Sequence, residues 1–266
     1  MKKKDDLKEI GLTPRQIKAV IEGRKPKPKL IKHHITNNTF TFAIVSDTHL
    51  CSTEERLNEL HTFYDICRKE KISVILHIGD LVAGQNVYRG QENELKVFGA
   101  DNQAKYVIDY YPKVDGITTY FITGNHDLSH YDKTGNDLGY TIASARPDMV
   151  YMGKYNAEIM FGNIRVRMVH PKKAGAYALS YNAQKFAEQI QSGKKPHILL
   201  FGHAHTSLYF WYRNMHIFHC GTFQAQTTLE LRLGLNPAIG GWTVKCHIKD
   251  GKDPVVGVTP CWIPFF

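Results

Sequence analysis

Five short stretches collect the residue types that bind metals and move protons: "DTH" (Asp47 to His49), "GD" (Gly79 and Asp80), "GNHD" (124–127), His170 in "RMVHP", and "GHAH" (202–205). Carboxylate, carboxamide and imidazole are hard or borderline donors, and no cysteine stands among them. That set fits Mn, Fe, Zn or Mg chemistry better than a structural zinc. D-x-H and H-x-H spacings put alternate side chains on one side of an extended backbone, so both members of each pair face one site. A carboxylate such as Asp80 can bridge two ions. Gly79, Gly124 and Gly202 beside the ligands let the chain turn sharply.

Each stretch alone has a plainer explanation. An Asp-x-His or Gly-Asp pair is more often a cap or a satisfied surface group, by about ten to one. A lone His170 is more often a half-buried histidine than a ligand. "GHAH" is more specific, because paired histidines closing an apolar strand are uncommon without a metal. What reverses the odds is the whole set in this order, each member at the mouth of an expected strand.

Those strands follow from the apolar pattern. Phe40 to Ser46 is a short apolar run ahead of "DTH", and Ile72 to Ile78 precedes "GD". Ile117 to Thr123 precedes "GNHD", and His197 to Phe201 precedes "GHAH". Between them, Ser52 with Glu55 forms a capping-box pattern for a helix to about Lys71, with Leu57, Leu60, Phe63 and Cys67 inward. A second helix is expected at 102–111. Strand alternating with helix is the rhythm of a parallel sheet, whose ligands gather at the carboxyl ends of the strands. The second half reads as antiparallel: Glu158 to Phe161 and Ile164 to Val169 flank the hairpin turn Gly162-Asn163. A helix at 182–191 and the β-like runs "SLYFWY", "MHIFHC" and "WTVKCHI" complete an order that two packed sheets with outer helices would accommodate.

The 266 residues, 42% apolar and 11% aromatic, suffice for one ordinary domain with an appendage, and exclude disorder as the main state. Residues 1–34 carry +7 of the net +9. They are expected to form a basic helix, capped by Thr13 and Pro14 and ended by Gly23, followed by a Pro/Lys linker, with 35–266 as the catalytic domain. Solvated charge accounts for this arm more simply than a polyanion partner does, by about two to one. The five cysteines are scattered without a C-x-x-C pair, so they are expected to be reduced and mostly buried. No apolar stretch approaches the roughly 18 residues that cross a bilayer, and the first residues are charged where a signal peptide is apolar. A cytoplasmic protein with no membrane contact is the expectation.

In order and approximate spacing the five stretches resemble the signature blocks of the calcineurin-like metallophosphoesterases, over residues 40 to about 225, with "FHCGTF" similar to the family's closing strand and turn. The resemblance is specific for the superfamily and not for a substrate. It implies a four-layer αββα sandwich of two mixed sheets flanked by helices, holding two divalent ions, manganese first, with Fe, Zn, Ni or Mg as alternatives. It implies Asp47, His49, Asp80 and His205 around one ion, and Asp80, Asn125, His170 and His203 around the other. It also implies His126 as proton donor to the leaving group, oriented by Asp127. Two departures, no Asp or Asn three residues after Asp80 and Pro171 after His170, remove no ligand.

A phosphodiesterase acting on nucleic acid or nucleotides, DNA or RNA among them, is the first expectation. The basic leader and the polar segments 128–136 and 171–181 motivate it: Lys133, Lys172 and Lys173 are candidates for backbone phosphates, and Tyr131, Tyr177 or Tyr181 for base stacking. Ordinary solvated loops explain these segments about equally well. A phosphomonoesterase is the runner-up. A non-catalytic scaffold subunit, known in the superfamily beside DNA polymerases, is disfavoured by the intact ligand set. The stretches "LYFWY" and "CWIPFF" are expected to pack as core strand and C-terminal cover.

Overall fold

A computed structural model describes residues 30–33, 38–172, 176–248 and 255–266. The expected helix at 13–23 and Lys173 lie outside them. Among the described residues twelve strands form two six-stranded sheets. The first runs β1 (Leu30–His33), β6 (Asn156–Phe161), β7 (Ile164–Val169), β8 (Ile198–Phe201), β10 (Met215–Cys220), β9 (Ser207–Tyr212). The second runs β12 (Val255–Pro264), β11 (Gly240–Ile248), β2 (Thr39–Val45), β3 (Val74–Ile78), β4 (Thr118–Thr123), β5 (Met149–Lys154). Strands β2 to β5 are parallel, and β11 and β12 add antiparallel. In the other sheet β7, β8 and β10 run parallel, while β6 and β9 are antiparallel partners.

The sequence dictates this layering. Strand β3 (VILHI) is buried along its whole length, as a strand covered on both faces must be. Phe42, Ile44, Leu76 and Ile122 of one sheet meet Ile159, Phe161, Val166, Leu200 and Phe218 of the other in a shared core. The opposite face of the second sheet, with Ala43, Val45, Ile75 and Phe121, packs under helices α1 (Leu57–Lys69), α2 (Ala100–Tyr110) and α4 (Leu138–Ala145) through Leu60, Phe63, Val107 and Ile142. The first sheet is covered by α5 (Tyr181–Gln189) through Ala183 and Ala187. Helix, sheet, sheet, helix is the expected αββα order. Among the described residues no helix is long and apolar enough to cross a membrane.

Several local readings are corrected. Ser52 and Glu55 do not cap α1, whose N-cap is Arg56 without a side-chain bond. Ser52 Oγ instead accepts from Gln224 Nε2, and Glu55 accepts from Cys51 N–H, Lys96 and Tyr106. Tertiary partners outcompeted the local box. The segment 128–136 is not a loop: helix α3 (Asn125–Thr134) starts inside "GNHD", with Gly135 in the left-handed conformation ending it. Leu30–His33, the end of the expected leader, pairs in parallel with β6. Four cysteines are buried and Cys261 is exposed, all free. Trp262 of the C-terminal stretch packs against Trp242, as core cover should.

Candidate metal centre

Every expected ligand stands where a strand ends. Asp47 and His49 follow β2, Asp80 follows β3, Asn125 and His126 open α3 after β4, His170 follows β7, and His203 and His205 follow β8. These carboxyl ends belong to both sheets and meet at one point. The D-x-H and H-x-H pairs are not extended, however. Asp47, His49, Asp80, His203 and His205 all have φ between 40° and 70°. They share a site through left-handed turns, a conformation costing on the order of 1–3 kcal/mol for each residue without a glycine's freedom. The surroundings hold them there: Asp47 N–H donates to Gly79 O, His49 N–H to Asp80 O, and Thr222 Oγ1 to Asp47 O at 2.7 Å.

The donor atoms converge. His49 Nε2 lies 3.0 Å from His205 Nε2, His205 Nε2 lies 3.5 Å from Asp47 Oδ1, and His49 Nε2 lies 3.9 Å from Asp80 Oδ2. On the other flank, His170 Nε2 is 3.1 Å from Asp80 Oδ2, 3.1 Å from Asn125 Oδ1 and 3.3 Å from His203 Nδ1. Ligand atoms bound tetrahedrally at about 2.1 Å from one ion lie about 3.4 Å apart, so these spacings fit cations held between them. Three triplets satisfy that convergence: Asp47, His49 and His205; Asp80, His170 and His203; and His49, Asp80 and His126. Asp80 belongs to two of them.

Glycine makes the approach possible. A Cβ on Gly124 would sit 2.2 Å from Asp80 Oδ1 and 2.7 Å from His170 Nε2. Backbone amides add polarity: His126 N–H donates to Asp80 Oδ1 at 2.8 Å from the first turn of α3, and His203 N–H donates to Asp47. Ser46 Oγ also donates to Asp47 Oδ2.

The electrostatics are those of buried carboxylates set against imidazoles. Burial pushes the Asp47 carboxyl up, but the hydrogen bond from His205 and the charges of His170 and His205 hold it below the usual carboxylate range. Asp80 is likewise held far down against burial, chiefly by His170 and His126. Burial pushes His170 and His205 down, yet the opposing carboxylates raise them to about 9 and about 10. Burial, reinforced by the neighbouring histidines, drives His49 well below its ordinary value and lowers His203. His49 Nδ1 is buried without a hydrogen-bond partner.

His126 stands beside the ligands with its ring edge-on to His49 at 4.4 Å between centroids. Its Nδ1 donates to Ala83 O at 2.6 Å, which leaves Nε2 for other work. Asp127 acts on it only through the backbone, not through the ring. That carboxylate accepts N–H bonds from Val82 and Gly124 and so fixes the entry to α3; buried beside Asp80, it is raised to about 7. An open pocket of about 680 Å³ lies over Asp80, His126, His203 and His205, with Tyr177, Leu179, Leu235 and Pro237 in its walls. A smaller recess borders His49, His126 and His205, lined also by Tyr88, Glu94 and Glu230.

A family model described as calcineurin-like phosphoesterase matches residues 40–221. The chain belongs to the calcineurin-like phosphoesterase family. Family membership covers β2 through β10, the span that carries every candidate ligand. A DNA polymerase II small subunit of Archaeoglobus fulgidus is 25% identical over 247 residues, covering 77% of this chain and 51% of the relative. The small subunit of Methanothermobacter thermautotrophicus is 22% identical, covering 76% and 51%. The chain thus spans about half the length of these curated relatives. Among solved structures, an archaeal phosphodiesterase aligns with 84% of this chain and all of its own at 12% identity and a TM-score of 0.46. Vacuolar protein sorting 29 of Cryptosporidium parvum covers 85% of this chain and 99% of its own at 12% identity and a TM-score of 0.44.

The expected substrate contacts fare differently. Lys133 Nζ donates to Gln85 O, and Lys172 is exposed. Lys154 Nζ covers one face of the Tyr131 ring, which is 41% exposed. Tyr181 begins α5, and only Tyr177 of the three tyrosines lines the pocket. Sequence reasoning missed Glu230, whose Oε1 accepts from His205 Nδ1 at 2.7 Å. The pattern Thr227-x-x-Glu230 was visible as a capping box, but nothing local announced its second role.

Proposed function

We propose that the chain is a metal-dependent phosphodiesterase acting on nucleic acid or nucleotides, with Asp47, His49, Asp80, Asn125, His170, His203 and His205 holding two divalent cations and His126 acting as general acid. The observation that carries this reading is buried Asp80, which shares one triplet of ligand atoms with His170 and His203 and another with His49 and His126. The cations would acidify a water and polarise the phosphoryl oxygens it attacks.

The chain's own residues supply the rest. The Asp80 carboxylate, held by the His126 amide, faces His170 and His49 at once. Asp127 fixes the start of α3, so His126 keeps its place while Ala83 O holds Nδ1–H. His126 Nε2 then donates its proton to the leaving alkoxide, a step typically worth about 10²- to 10⁴-fold.

The walls of the pocket favour a nucleotide or nucleic-acid diester. The walls of Tyr177, Leu179, Leu235 and Pro237 suit the face of a base. The polymerase small subunits among the relatives also favour nucleic acid, and equally a chain that works beside a partner. The intact ligand set argues against a purely scaffolding role.

Bis-p-nitrophenyl phosphate, p-nitrophenyl phosphate and single-stranded oligonucleotides, assayed with Mn, test the proposal. Diester and oligonucleotide cleavage abolished by Asp80→Ala is expected. Cleavage of the monoester alone would select a phosphomonoesterase. No hydrolysis by an Mn-loaded chain would leave the scaffold.

A further inference from the structure

Ligand histidines need a fixed tautomer, and the group behind each ring sets it. His170 Nδ1 is backed by Ile78 O at 2.8 Å, a neutral carbonyl. His203 directs Nδ1 at His170 itself, and His49 Nδ1 is buried without a partner. His205 alone among these ligands has a carboxylate behind it: Glu230 Oε1, 2.7 Å from Nδ1.

Glu230 is held for this role from several directions. Its Oε2 accepts from Thr227 N–H at 2.9 Å and from Thr227 Oγ1 at 3.2 Å at the start of α6 (Thr228–Leu233). The next amide, Thr228 N–H, donates to Glu94 Oε1 at 2.9 Å, and Glu94 Oε2 accepts from Tyr88. Glu230 is 9% exposed, so its charge acts through little solvent.

We infer that Glu230 is a positioning residue of the metal centre: it fixes His205 with the proton on Nδ1 and Nε2 turned to the cation, and it makes the Asp47–His49–His205 position the tighter of the two. The inference rests on the two-cation reading above. A charge-assisted bond to the ring raises its basicity as a ligand more than a carbonyl does. The Asp80–His170–His203 position has only the carbonyl.

The test is calorimetric titration of the metal-free chain with Mn. Wild-type protein is expected to bind two equivalents of unequal affinity. In Glu230→Ala the tighter equivalent should weaken by about 10- to 100-fold, the other much less. Glu230→Gln keeps an acceptor without the charge and should fall between. Leu231→Gly weakens the same helix at a 64% exposed position without touching Glu230, and should stay near wild type, which separates positioning from helix stability. Wild-type affinities in Glu230→Ala, or an equal loss in Leu231→Gly, would overturn the inference. If Glu230→Ala does not fold, the Gln and Leu231 variants decide. Uptake of one Mn by wild type would remove the two-cation reading, while the same variants still report on that one position.

Discussion

His170 presents Nε2 3.1 Å from Oδ2 of Asp80, and both side chains are buried to within 1% exposure. The two residues are 90 positions apart in sequence and come from different sheets. A buried imidazole and carboxylate at this distance without further purpose would be a costly pair; the proposed function makes them ligands that divide the grip on two cations.

Replacing Asp80 should therefore damage both cation positions together. Asp80→Ala is expected to lose most bound Mn and at least about 10³-fold of turnover, the scale of removing a central electrostatic element. Metal content after gel filtration checks this. A variant that retains two Mn per chain contradicts it.

His126 has a role separable from metal binding. His126→Ala should keep its Mn but lose about 10²- to 10⁴-fold on a nucleotide or alkyl diester, and clearly less on a p-nitrophenyl ester, whose phenolate leaves with little protonation. Equal losses on both leaving groups would point to His126 as a ligand, which its place beside His49 and Asp80 also permits.

Gly124→Ala tests the closeness of the cradle. The residue has φ −102°, so alanine strains nothing in the backbone. Its Cβ would nevertheless lie 2.2 Å from Asp80 Oδ1. A destabilisation of about 1–3 kcal/mol by denaturant unfolding, with weakened Mn uptake, is expected. Unchanged Mn affinity would show that the cradle has room to spare.

Cation uptake should release protons. Burial opposes the charged forms of His170 and His205, but their carboxylate partners raise them to about 9 and about 10, so both are protonated at pH 7 without cations. Each proton must leave before the nitrogen binds, so affinity should rise with pH through the neutral range. The same shifts set the stability of the metal-free chain. A folded pKa above the ordinary 6.5 gives stability fully present below 6.5 and lost as pH rises through 9 and 10. Calorimetry in buffers of differing ionisation heat measures the release, and melting of chelated protein from pH 6 to 10 measures the stability. Uptake at pH 7 without proton release would contradict both assignments.

The sheets were legible because β3 and β4 are short runs rich in apolar and β-branched residues and because "GN" at 162–163 marks its hairpin. The seven candidate ligands could be named from residue type and strand-end position, and each stands just beyond a strand. Their backbone conformation was not legible: alternation suggested extended pairs, whereas contacts from distant Gly79 and Thr222 impose left-handed turns. Helix α3 was hidden because its N-cap is a glycine and its first turn is made of site residues. Glu230 escaped because its partner His205 lies 25 positions away, beyond any local pattern. Ser52 and Glu55 misled for the converse reason, a correct local pattern overruled by Gln224, Lys96 and Tyr106.

Anomalous diffraction from crystals soaked in Mn is the most direct measurement of the central claim. Two peaks about 3.5–4 Å apart, astride Asp80, with His49 and His205 on one and His170 and His203 on the other, are predicted. A single peak distant from Asp80, or none, would contradict the account.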